Sequence, residues 1–556
     1  MAPVTSLPGA GIGSLVQDTT RLAGALLLIA ALATFGACNT AAKRDGASTT
    51  DGGAASTAGT GAARATAKPA SNRPPEVPIT NALALETFDV VWTRVDEIDF
   101  DKTHGGVDWI AVREEMRPRA SQATTQNELR RVLHEMLQRL NRSHFAVIPG
   151  EVVDRKHAAE SEAPADETDA AGAADASARS GTESYADAGT GTSAANSGES
   201  AGAADGDDST DGDGDDAALS DEQRTFGLTL RLIDEKATIV AVAPGSSAER
   251  AGVKPGWAVV TVDGRDPTRG LDRVVESSGS MGRYAASAFV NSLDSGNARP
   301  HTLVFVDADD SEHTVKLRRR ASPAEMVKVG NLPPMALLFE SGWVDETMLA
   351  AAGATSARIG YIRFSVWLPA VAAAFNRAVD ELRDADGIIL DLRGNPGGFG
   401  GMVMGVGGHF VQEPVSIGSL TTRESTIEFK LNPRRSTRDG RSVEPISAPL
   451  AILMDVLSAS TSEVFAGGLQ DIGRARIFGE ASAGAALPAL MHRLPNGDVL
   501  LHAFADFRVP SGGLVEGDGV IPDEPRALTR KDLSNDGDPV LLDAVRWIHR
   551  TAPAVP

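Results

Sequence analysis

The sequence predicts an α/β protein of several domains, and three observations carry that prediction. From residue 321 onward, apolar strand-like runs alternate with amphipathic helical runs, the pattern of a sheet covered by helices. Residues 129–140 place apolar side chains at helical spacing, which predicts a helical N-terminal subdomain. Residues 225–320 carry short alternating runs broken by turn signals, which predicts a mostly β domain between the two. A length of 556 residues leaves room for about three to four domains.

The chain starts with an export-like segment, for which we assign residues 1–37. Arg21 precedes an uncharged run from Leu22 to Cys38 that ends in small residues, as in a signal peptide. At 17 residues the run is shorter than the ~20 that span a bilayer, and no other segment approaches that length, which excludes a multi-span protein. Phe35-Gly36-Ala37-Cys38 resembles a bacterial lipobox, implying lipidation of Cys38 and a membrane anchor at the cell envelope. An ordinary cleaved signal or a simple apolar anchor are the alternatives. Residues 38–80 are rich in Ala, Gly, Ser, Thr and Pro and read as a flexible tether.

Residues 81–150 form the helical subdomain. Leu129, Val132, Leu133, Met136, Leu137 and Leu140 make one apolar helix face, which stops at Asn141, just before Ser143-His144-Phe145. Residues 151–222 read as an acidic disordered insert. From Ala158 to Glu222 there are 18 acidic residues and one basic one, Arg179. That stretch contributes -17 of the net charge of -22, so the rest of the chain is nearly balanced. With 75 acidic against 53 basic residues, a nucleic-acid partner is disfavoured. The run Asp211 to Glu222 superficially resembles a calcium loop, but Asp216 stands where a Gly must turn the chain, and a solvated linker is the better reading. The single cysteine excludes an intrachain disulfide and a zinc site built on paired cysteines.

In residues 223–320, Phe226-Gly227-Leu228 precedes strand-like Thr-Leu-Arg-Leu, and Val242-Ala-Pro-Gly-Ser-Ser-Ala248-Glu-Arg-Ala-Gly252 is followed by Val-Lys-Pro-Gly256. These motifs resemble a PDZ domain, with Trp257 departing from the Asp usual there. The resemblance implies that the amides of Phe226, Gly227 and Leu228 cradle a peptide terminus while the peptide adds a strand. A PDZ-like spacer without ligand is the alternative.

Residues 321–550 hold the chemistry. Gly387 to Leu392 is a buried strand that runs into Arg393-Gly394-Asn395-Pro396-Gly397-Gly398, where missing Cβ atoms let amides approach a substrate oxygen. A phosphate loop is a poor rival, since no Lys-Ser or Lys-Thr follows. A second strand, Leu450 to Met454, leads to Ser458-Ala459-Ser460-Thr461-Ser462-Glu463 and a helix ending near Asp471. Taken alone, these hydroxyls read as N-caps. A serine at a helix start, however, also sits where free amides stabilise an oxyanion.

Asp391 to Gly398, Ser458 to Glu463, Gly479-Glu480 and Gly519-Val-Ile-Pro-Asp523, in that order, resemble the tail-specific, or C-terminal-processing, serine proteases, whose wider group includes tricorn protease. The resemblance covers residues 85–150 and 225–550 and implies a crotonase/ClpP-like core. It makes Ser460 the nucleophile and the amides of Thr461 and of Gly397 or Gly398 the oxyanion hole. Where the Ser-Lys branch has its lysine, this chain has Ala485. The tricorn-like branch takes its histidine from a Leu-x-x-Ser-His motif, matched by Leu140 to His144, and a glutamate that maps onto Glu516. The implied tetrad is Ser460, His144, Ser143 and Glu516. His409, beside Gly407-Gly408, is the rival base; Asp471 and Arg393 read as structural partners. An exported serine endopeptidase of polypeptides follows, with no cofactor or metal. A catalytically silent PDZ adaptor or a binder of apolar ligands on the same fold are the alternatives.

Overall fold

The computed structural model describes residues 76–150, 223–322, 325–327, 335–535 and 537–552. The export-like segment with Cys38, most of the tether, and the acidic insert with its calcium-like run lie outside the described residues.

The N-terminal subdomain is three helices, α1 (Asn81–Ile98), α2 (Trp109–Ser121) and α3 (Gln126–Gln138). Thr80, Asp108 and Thr125 cap them by accepting amides of the first turn. The apolar face expected on α3 is buried against Phe88, Val91 and Met116. After α3 the chain turns through Asn141 and His144, both at positive φ, into β1 (Ala146–Ile148). That strand pairs antiparallel with Val499–Ala503, so the loop between α3 and β1 is carried onto the C-terminal core.

The second unit has five antiparallel strands in chain order: β2 (Leu228–Ile233), β3 (Lys236–Val242), β4 (Ala258–Val262), β5 (Pro300–Val306) and β6 (Glu312–Arg318). The 22-residue helix α4 (Leu271–Ser292), which the sequence analysis did not assign, packs against β2.

The C-terminal core is built on a six-stranded sheet. Its strands in spatial order are β7 (Phe339–Trp343), β8 (Ile359–Phe364), β9 (Gly387–Asp391), β10 (Leu450–Met454), β11 (Ala475–Gly479) and the two-residue β12 (Glu524–Pro525). Only β7 runs antiparallel to its neighbour. Every residue of β9 and β10 is buried, as expected of parallel strands covered on both faces. One face packs on Phe375 and Val379 of α5 (Val371–Glu381), the other on Val540, Val545 and Ile548 of α7 (Pro539–Thr551); between them in sequence, α6 spans Thr461–Asp471. Because β9 and β10 are adjacent and parallel, the loops leaving their C-terminal ends meet above the sheet, the usual place for a site in such folds.

Candidate active site

The turn from β10 into α6 is tied to the loop after β9 at almost every residue. Ser458 Oγ donates to Leu392 O at 2.8 Å, the Ala459 amide to Asn395 O at 3.0 Å, Thr461 Oγ1 to Gly398 O at 3.0 Å and Ser462 Oγ to Asn395 O at 3.1 Å. Trp367 Nε1 in turn donates to Ser462 Oγ at 2.9 Å, and Asn395 Nδ2 to Phe364 O at 2.9 Å. Three hydroxyls of the motif thus serve as buried struts. The fourth, on half-buried Ser460, donates to no described group.

Ser460 also has an unusual backbone, with φ 54° and ψ -116°. A side chain at positive φ costs of order 1–3 kcal/mol and persists where surrounding bonds over-determine it. Here the Ser460 amide donates both to Glu463 Oε2 at 2.8 Å and to Ala485 O at 3.0 Å. Glu463 is fully buried and collects three further donors: Ser482 Oγ at 2.6 Å, the Gly484 amide at 2.7 Å and the Ala485 amide at 3.0 Å. Burial pushes its pKa up to about 7 against these donors, and the charge of Glu516 adds to the rise.

Gly397 lies against this turn: a Cβ there would stand 2.7 Å from Ser460 Cβ and 2.8 Å from the Thr461 amide nitrogen, so only glycine fits. The Gly397 amide is already donated to Asn395 Oδ1 at 3.0 Å. Of the two glycines offered by the sequence, Gly398 is the one whose amide, like that of Thr461, makes no hydrogen bond among the described residues. Both are available to an oxyanion.

The loop after α3 brings the second half. Ser143 Oγ donates to Glu516 Oε2 at 2.9 Å and lies 2.7 Å from His144 Nδ1, while the Ser143 amide donates to Glu516 Oε1 at 2.8 Å. The Ser143 proton is committed to the carboxylate, so Nδ1 carries the imidazole proton and donates it to Ser143 Oγ. The lone pair is left on Nε2, which is buried and without a hydrogen-bond partner among the described residues. Burial lowers the His144 pKa to about 4, below the ~6.5 of a free imidazole, and holds the ring neutral. Burial likewise raises the pKa of Glu516, against donation from Ser143 and from the Ala486 amide, 2.9 Å away. Arg142, immediately before, fixes the loop through Asp99 at 2.9 Å and Asp101 at 2.6 Å.

The other sequence candidates fall elsewhere. His409 is buried against Phe375, with Nε2 2.8 Å from Asn376 Oδ1, in the helical cover of the sheet. Arg393 spans Asp391 and Asp538, and Asp471 accepts the Ser511 amide and hydroxyl, both as strand-end and helix-end partners. The amides of Phe226, Gly227 and Leu228 are not an empty cradle, because each has a partner within the chain. Those of Phe226 and Leu228 donate to Asp294 Oδ1 at 3.1 and 2.8 Å, and that of Gly227 to Thr225 Oγ1 at 2.7 Å. Sequence reasoning missed Asp294, and it missed Glu463 as a clamp, although Ser460-x-x-Glu463 has the spacing of a capping box. No group of three or more His, Cys, Asp or Glu among the described residues is arranged to hold a metal, and no described helix is long and apolar enough to cross a membrane.

Comparison with known proteins gives two family matches. Residues 358–526 match the model of peptidase family S41, and residues 84–138 that of the tricorn protease C1 domain. A carboxyl-terminal-processing protease of Synechocystis sp. is 26% identical over 305 residues, 54% of this chain and 61% of the relative. Carboxyl-terminal-processing peptidase 2 of Arabidopsis thaliana chloroplasts is 26% identical over 293 residues, 52% and 49% of the two chains. The chain thus spans about half to three fifths of the length of such curated relatives. Among solved structures, mature CPAF superposes with a TM-score of 0.52 at 12% identity, over 85% of this chain and 99% of that one, a likeness of fold.

Proposed function

From the premise that this chain belongs to peptidase family S41 and carries a tricorn C1 domain, we propose that it is a serine endopeptidase of polypeptides using a Ser460, His144, Ser143, Glu516 tetrad. The observation that carries the reading is the hydroxyl census of the Ser458–Ser462 turn: every neighbour of Ser460 with a hydroxyl is a bonded strut, and Ser460 alone keeps its proton uncommitted. In this reading Ser460 Oγ attacks the scissile carbonyl as His144 Nε2 takes its proton. The developing oxyanion is met by the amides of Gly398 and Thr461. Imidazolium then returns the proton to the leaving amine, and water, activated by the same nitrogen, releases the acyl group from Ser460. The Ser143 hydroxyl and Glu516 hold the ring in the tautomer that leaves Nε2 basic and balance the charge it gains.

The core is read as crotonase-like and the unit at residues 223–320 as PDZ-like. Export and a lipid anchor at Cys38 are part of the proposal, supported by the apolar run that ends in Phe35-Gly36-Ala37-Cys38. Labelling with a fluorophosphonate tests the activity directly. Modification of Ser460, lost on Ser460→Ala, is expected, together with casein degradation. A purified, folded chain that takes no label and degrades no casein would leave the silent-adaptor reading standing. Metabolic labelling with a palmitate analogue, lost on Cys38→Ser, tests the anchor.

A further inference from the structure

The PDZ-like unit binds a carboxylate in the described structure, and it is the chain's own. Asp294 follows the C-terminal end of α4, beside the loop that leads into β2. Its Oδ1 accepts the amides of Phe226 and Leu228, and Thr225 Oγ1 donates to its Oδ2. This is the bonding pattern that a peptide's terminal carboxylate would seek in a cradle of successive amides. The occupant is held from behind as well. Arg319 donates to Asp294 O at 2.8 Å and Leu293 O at 2.8 Å while its guanidinium lies 4.0 Å over the Phe226 ring. Further along the groove between β2 and α4, Arg231 Nη1 donates to Leu230 O at 3.0 Å and to Asn291 Oδ1 at 3.2 Å, bridging strand and helix where an added strand would lie.

We propose that Asp294 is a built-in stand-in for a peptide terminus, so that the PDZ-like unit rests in a self-liganded state and a polypeptide C-terminus enters only by displacing the Asp294 carboxylate. Three charge-bearing hydrogen bonds, from the two amides and from Thr225, must be broken before an incoming carboxylate can make its own, so a free terminus gains almost nothing over a blocked one. The inference rests on the PDZ-like reading of residues 223–320 and is independent of hydrolysis at Ser460.

The test uses the chain carrying Ser460→Ala, so that nothing is cleaved, and a fluorescent octapeptide pool with randomised last positions and an apolar final residue. The pool is prepared once with free C-terminal carboxylates and once as C-terminal amides. With Asp294 present, anisotropy is expected to show the two pools bound within about twofold of each other. With Asp294→Ala, the acid pool should bind about tenfold more tightly than the amide, the equivalent of one charge-assisted hydrogen bond. If Asp294→Ala does not fold, Asp294→Asn fills the same space without the charge and should show the same direction of change. A tenfold preference for the acid pool while Asp294 is present would overturn the proposal. So would a folded variant that shows no preference.

Discussion

Ser460 and Glu516 are hydrogen-bonded to opposite ends of one peptide group: the Ala485 carbonyl accepts the Ser460 amide at 3.0 Å, and the Ala486 amide donates to Glu516 Oε2 at 2.9 Å. A trans peptide is planar with its C=O and N–H pointing apart, so this unit is a rigid spacer between the Ser460 turn and the Glu516 carboxylate. Ala485, where the related branch has its lysine, contributes backbone here, and its side chain packs with Tyr284, Leu457 and Ala459. Lysine at 485 would therefore have to bury an amine in an apolar cluster.

The first prediction concerns the orienting pair. Glu516→Gln keeps the shape but turns an N–H₂ toward a donor, and Ser143→Ala removes the link to Nδ1. Each should lower kcat by about 10²–10³-fold with KM little changed. Since Ser143 acts only through Glu516 and the ring, the double variant should be hardly slower than either single one. Fully additive losses in kcat would mean that the two residues work independently.

Acid dependence separates two buried groups. His144 must be neutral to act, and with its pKa lowered to about 4 by burial it stays neutral throughout the range where free imidazole charges. Glu463 holds the Ser460 amide as a carboxylate, and with its pKa raised to about 7 it gains a proton as pH falls through neutrality. That proton must displace one of four donors. Activity is thus expected to fall with acid near pH 7. In Glu463→Gln, which cannot titrate, the plateau should be lower, and the remaining acid limb should move down toward His144. The full pH profile of kcat/KM for both proteins checks this. A limb that stays near 7 in Glu463→Gln would remove Glu463 from the account. His144→Ala should be nearly inactive at every pH.

Strain at Ser460 gives a stability prediction. Since φ at Ser460 is 54°, Ser460→Ala keeps the cost of a Cβ in the left-handed region and should melt close to the parent protein. Ser460→Gly relieves the strain and should be about 1 kcal/mol more stable than Ser460→Ala, despite the greater freedom of its unfolded chain. Both should be inactive. Thermal melts in which the glycine variant is the less stable would show that the turn is unstrained.

The residues of the proposed site could be picked out in the sequence because each lies in a compact motif at a strand or helix end: Ser460 after Leu450–Met454, Gly397 and Gly398 after Gly387–Asp391, and His144 after the apolar face of α3. Their bonding was not. Asp294 sits more than 60 residues from the amides it fills, in an ordinary-looking Leu-Asp-Ser-Gly stretch, and no local periodicity encodes such a contact. Glu463 has capping-box spacing, which accounts for one of its donors; the other three come from residues 482–485, across a helix and a strand. The choice between Gly397 and Gly398 depended on Asn395, whose side chain could equally have faced solvent.

Arg231 supplies the last prediction. From β2 of the second unit its Nε donates to Asp455 Oδ2 at 2.7 Å, and both side chains are about 10% exposed. Asp455 Oδ1 accepts the Gly394 amide at 2.8 Å and the Leu457 amide at 3.0 Å, so this one carboxylate joins the loop that carries Gly398 to the turn that carries Ser460. Gly394, at φ 76°, leaves room for the guanidinium: a Cβ there would lie 2.3 Å from Arg231 Nη2. Removing one partner of a buried pair strands the other's charge, at a cost of about 3–5 kcal/mol. Arg231→Ala should accordingly lower the melting temperature and, because Asp455 loses its anchor, reduce kcat more than KM. Asp455→Asn keeps Oδ1 for the two amides but turns Nδ2 toward Arg231 Nε and leaves the guanidinium unpaired, so it should also lower the melting temperature while reducing kcat less. If Arg231→Ala melts and turns over like the parent, the ion pair is a bystander, and the second unit does not brace the loop that carries Gly398.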